Sequence, residues 1–139
     1  MRRLALVLAL VALFLAACGN HSQRLDQDKI KSAYETFFSG KSSIPDRVVV
    51  LQDGPRFKAL VTEFANNPLA QNVSATVGTV TLQGKNNAKV TYTVKLGGTK
   101  LPQQTGTAVR QNGSWKVGYL GLCKLVELSG TTPAVCKTP

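Results

Sequence analysis

The chain has 139 residues, enough for one domain, with 43% hydrophobic and 17% charged residues, a composition that excludes disordered and collagen-like classes. The formal net charge is +10. The lysines and arginines are scattered, never three in a row, with no interleaved aromatics to stack bases, so nucleic acid is not an expected partner.

Residues 1–17 have the layout of a secretory signal peptide: Arg2 and Arg3, an unbroken apolar run from Leu4, and the small residues Ala16 and Ala17. The run ends at Ala17 after 14 residues, short of the roughly 20 that a transmembrane helix needs. Leu15-Ala16-Ala17-Cys18 resembles a bacterial lipobox at every position. That likeness implies cleavage before Cys18 and a diacylglyceryl thioether on its sulfur, with a palmitate-type acyl group completing a lipoprotein anchor on the extracytoplasmic face of the cell membrane. Two acyl chains on one residue give the stable anchoring that a single chain does not. The alternative is an ordinary signal peptide beside a free or disulfide-bonded Cys18. Cleavage leaves fifteen basic against seven acidic residues, a mature charge of +8 that favours anionic polymers, lipid headgroups or acidic proteins as partners. Residues 18–25 are polar and read as a flexible tether; residues 26–139 read as the domain.

If Cys18 carries lipid, Cys123 and Cys136 remain as one pair, and an exported protein can oxidise them to a structural disulfide. The close spacing of a redox-active pair is missing.

Within the domain, Ile30, Ala33, Tyr34, Phe37 and Phe38 recur at helical spacing, with Asp26 and Asp28 in the first turn and Gly40 as a stop, predicting a helix over 26–39. Ser43 and Pro45 open a short helix, although Val48, Val49, Val50 and Leu51 are strand-prone. From Pro55, the residues Phe57, Leu60, Val61 and Phe64 repeat the helical stripe until Asn66-Asn67-Pro68. The period then becomes two. Val73 to Leu82 forms a first strand with a bulge expected at Gly78, and Ala88 to Leu96 a second with one apolar and one polar face. Thr105, Thr107 and Val109 mark a third strand. After the hairpin signal Asn112-Gly113, Trp115, Val117 and Tyr119 mark a fourth that is read as running on toward Cys123. Helices followed by an antiparallel four-stranded meander define an α+β domain whose helices cover one face of the sheet.

This order resembles the nuclear-transport-factor-2-like, or cystatin-like, cone. The tail from Cys123-Lys124-Leu125 through Gly130-Thr131-Thr132-Pro133-Ala134-Val135-Cys136, with Gly113-Ser114-Trp115-Lys116-Val117 and Val50-Leu51-Gln52-Asp53-Gly54, is similar to the mycobacterial low-molecular-weight secreted antigen family. The resemblance spans about residues 27–136 and implies an exported actinobacterial antigen with no activity to carry over. The lipobox sets this chain apart from freely secreted members.

Cone-shaped domains include isomerases and cyclases, so a catalytic set is sought on its own terms. The one histidine, His21, lies in the tether. The acidic residues fall at helix starts, polar faces and turns, with Glu127 the one whose surroundings are open, and none interrupts the apolar strand faces. One histidine and a cysteine pair supply no zinc set, and no cofactor is expected. Tyr34, Phe38, Tyr92, Trp115 and Tyr119 form either core or the lining of an apolar cavity. The expectation is therefore a lipid-anchored, non-catalytic binding module of the envelope. A carrier of a small apolar ligand is the alternative, and an isomerase- or cyclase-type enzyme a further one.

Overall fold

The computed structural model describes residues 2–127 and 130–137, with side chains from residue 19 onward. The first helix, α1, runs without a break over Arg2–Phe38. It therefore includes residues 19–25, which the sequence suggests as a flexible tether. No proline interrupts this stretch, and the helix continues through it with every side chain exposed. The predicted stripe is the packed face: Ile30, Ala33, Tyr34, Phe37 and Phe38 are all buried. Gly40 does not take the left-handed conformation of a terminal glycine. Its role is close approach, because a Cβ there would lie 2.2 Å from the Gln71 carbonyl oxygen.

Helix α2 (Ile44–Val49) is capped by Ser43, whose hydroxyl oxygen accepts from the Asp46 amide. The strand tendency of the valines is also realised. Just past α2, Leu51 makes a single parallel bridge to Val117, with the Gln52 and Val117 amides donating to the Val117 and Val50 carbonyls, each at 2.8 Å. A 3-10 turn (Gly54–Phe57) precedes α3 (Lys58–Asn66), and a second (Pro68–Asn72) leads into the sheet.

The strands are β1 (Val73–Gln83), β2 (Asn87–Leu96), β3 (Thr99–Lys100), β4 (Gln104–Gln111) and β5 (Ser114–Val117). Their order is β1-β2-β4-β5, all antiparallel, with the two-residue β3 folded back on the end of β2. The expected four-stranded meander is thus present with one short addition. The β1–β2 register shifts between Val77 and Val80, the site of the expected bulge. Strand β2 alternates as predicted, with Ala88, Val90, Tyr92 and Val94 buried on one face and Lys89 and Lys95 exposed on the other. At the Asn112-Gly113 turn both residues have positive φ, 52° and 76°, the backbone of a tight hairpin. The sheet curls into a half-barrel around α1, and the buried side chains form one core between them.

The fourth long strand is shorter than expected. It ends at Val117, and residues Tyr119–Glu127 form helix α4, which carries Cys123. After the Gly118 amide donates to the Thr107 carbonyl at 2.8 Å, the chain leaves the sheet. Tyr119 then stacks on Phe57 instead of extending the strand face, their ring centroids 5.1 Å apart. A final helix, α5 (Ala134–Lys137), brings Cys136 back to Cys123, and the two form a disulfide.

Candidate functional site

Of the five aromatic residues singled out in the sequence, the structure brings three together. The three rings form a triangle, Tyr92 lying 5.0 Å from Tyr34 and 5.2 Å from Phe38, which are 6.2 Å apart. The Tyr34 hydroxyl donates to the Thr107 carbonyl at 2.8 Å, tying α1 to β4. These rings need space on the strand opposite. Gly106 provides it, since a Cβ there would lie 2.5 Å from the Tyr34 hydroxyl. Burial pushes the phenol pKa of both tyrosines up, and for Tyr34 the neighbouring Tyr92 adds to the shift.

Trp115 and Tyr119 lie apart from this cluster. Trp115 sits under the Arg110 guanidinium, 4.9 Å from ring centroid to Cζ, and Arg110 in turn pairs with Asp26 of α1 at 2.8 Å. Tyr119 belongs to the Phe57 stack at the start of α4.

A cleft of about 410 Å³ opens at the end of the half-barrel where α1 finishes. Phe38 contributes from α1, Leu60 and Phe64 from α3, Val94 and Leu96 from β2, and Leu125 and Val126 from α4. Glu63 and Asn67 add the polar groups, both exposed, and Leu69 stands beside them at 62% exposure. The volume lies within the range of small-molecule sites, and such a wall recognises apolar surface. Phe38 is the one member of the aromatic set that reaches it.

The α3 part of this lining is legible as the Leu60–Phe64 stripe. The α4 part is not, because alternation from Trp115 to Tyr119 suggests a strand. The spacing of Leu122, Leu125 and Val126 at i, i+3 and i+4 is the signal that marks the helix.

Among the described residues no carboxylate is buried, and no group of three metal-ligating side chains occurs. Glu127 is exposed at the last turn of α4, and His21 is exposed on α1. The Cys18 side chain lies outside the described residues. No helix among the described residues is long and apolar enough to cross a membrane.

Comparison with known proteins adds one finding. Neither the curated proteins nor the solved structures include a match. A family model does match, over residues 24–133, and it describes the C-terminal domain of the low molecular weight antigen MTB12. The matched stretch takes in the packed part of α1, the whole sheet, α4 and the approach to Cys136. The chain belongs to the low molecular weight antigen MTB12 C-terminal domain family.

Proposed function

We propose that this chain is a cell-envelope lipoprotein, held at the extracytoplasmic face of the membrane through Cys18, whose domain is a non-catalytic module that binds an apolar ligand in the cleft. The cleft wall carries this reading: apolar side chains from α1, α3, β1, β2 and α4 converge on about 410 Å³, and the one ionisable group of the lining, Glu63, is exposed. Acid–base catalysis uses a positioned proton-transfer group, and the one carboxylate of this wall, Glu63, is exposed to solvent. Membership of an antigen family agrees with an exported protein. The lipobox at 15–18 supplies the case for anchoring.

Two measurements test the two halves. Metabolic labelling with an alkyne fatty acid should tag the wild-type chain and leave Cys18→Ser untagged; equal labelling of both excludes the anchor. For the cleft, membranes bearing the protein are irradiated with an apolar diazirine probe and the adducts are mapped. Adducts are expected on the α3 and α4 segments that include Phe64 and Leu125, and Leu125→Lys should reduce them at least fivefold. Adducts confined to other surfaces, or unchanged in Leu125→Lys, exclude the cleft as the binding site.

A further inference from the structure

A second depression, of about 300 Å³, lies against another face of α4 and has the opposite chemistry. Lys89 of β2 and Lys124 of α4 both line it, and no carboxylate does. Lys89 sits directly across from Thr107 in the β2–β4 register, so the two side chains share one face of the sheet. Thr105 and Thr107 contribute hydroxyls from β4, and Gln83 a carboxamide from β1. Among the described residues neither lysine has a carboxylate within salt-bridge distance. Two lysine charges on one depression with no carboxylate to offset them favour the entry of an anion.

Two glycines, Gly106 and Gly121, also line the depression. Behind them lies Tyr92, which is 3% exposed. Its hydroxyl is 3.4 Å from where a Cβ on Gly121 would stand, just behind the glycine wall of the depression. Leu120 and Gly121 belong to the first turn of α4, whose dipole adds partial positive charge on the same side.

We infer that this depression binds a phosphate ester, with Lys89 and Lys124 as the charged contacts and Thr105 and Thr107 as neutral donors. Lysines act as point charges with freely turning donors, and hydroxyls complete a tetrahedral shell, which suits a tetrahedral phosphate better than a planar carboxylate. The site is separate from the apolar cleft, so it stands whether or not the cleft binds a ligand.

The test uses the full chain carrying Cys18→Ser, kept in phosphate-free maltoside micelles, with amide shifts of Gly106, Thr107 and Gly121 as the readout. One arm adds inorganic phosphate or glycerol 3-phosphate, and the other doses phosphatidylglycerol into the micelles. Saturable shifts at these amides are expected. The double variant Lys89→Gln/Lys124→Gln should weaken the apparent affinity at least tenfold. Lys95→Gln/Lys100→Gln removes the same charge outside the depression and should change it less than twofold. Saturation in the first arm identifies a free phosphate ester as sufficient; saturation in the lipid arm alone identifies a headgroup. The proposal is overturned if neither arm saturates, or if the two double variants lose affinity equally, which marks diffuse charge attraction instead of a site.

Discussion

Arg47 is the one charged side chain buried among the described residues, at 2% exposure, and no acidic group answers it. Its guanidinium donates to the Ser39 carbonyl at 2.7 Å through Nη2 and to the Ser42 carbonyl at 3.3 Å through Nε, and it rests over the Phe64 ring. These carbonyls lie just past the end of α1, where the helix dipole is negative, so the partner of this cation is backbone. Burial pulls its pKa down from the ordinary arginine value, and Nη1 has no partner. Arg47→Ala leaves those carbonyls unpaired and opens a hole, so a loss of about 2–4 kcal/mol is expected by urea unfolding. Arg47→Met fills the space without burying a charge and should cost less than half as much. The sequence offered no sign of this residue. It reads as one of fifteen dispersed basic side chains, and only the fold-back of α2 onto the end of α1 turns it inward.

Tyr34 and Tyr92 give the other prediction at this scale. Their folded pKa values lie above the ordinary value of about 10 because burial disfavours the phenolate. The folded state therefore holds these protons more tightly than the unfolded one. The corresponding stability is complete below pH 10 and is lost as pH rises above it. Phenolate absorbance from these two residues should appear together with unfolding in an alkaline titration. An earlier rise, with circular dichroism unchanged, would show that they are not buried.

The elements divide sharply in how well they could be read. Helix α1, α3 and strand β2 bury most of the side chains that their periods mark, with Phe64 and Leu96 left partly open at the cleft. Helix α4 was misread, since Trp115 and Val117 set a strand period that the chain abandons at Gly118 to satisfy the Thr107 carbonyl and the Tyr119–Phe57 stack. Those are tertiary partners, invisible to a local window. The consequence reached the candidate site, because Leu125 and Val126 of the cleft lining and one wall of the lysine depression lie on α4. The disulfide holds this helix through Cys123, which is 4% exposed, and closes a loop with a sequence separation of 13. On the chain-entropy estimate the bond contributes about 3 kcal/mol. Replacing both cysteines by serine should therefore lower Tm by roughly 12–24 °C. A shift below 3 °C by calorimetry would show that α4 is held by packing alone.

At the scale of the whole molecule, the fold class could be read because every hairpin signal and both amphipathic helices point to the same half-barrel. The continuity of α1 could not, since a polar stretch following an apolar one suggests a break that the backbone does not make. From Gly19 to Ile30, where burial begins, the helix rises about 17 Å at the standard rise per residue. Gln23→Pro should interrupt the exposed stretch over 19–25 while changing unfolding free energy by less than about 1 kcal/mol, because no core side chain lies within it. A larger loss would show that the stretch helps hold the domain. If Cys18 is the anchor proposed above, α1 acts as a spacer between the lipid and the domain. The cleft opens at the Phe38 end, about 29 Å along the axis from Gly19. Under the proposed anchoring at Cys18, the length of α1 stands between the lipid and the mouth of the cleft.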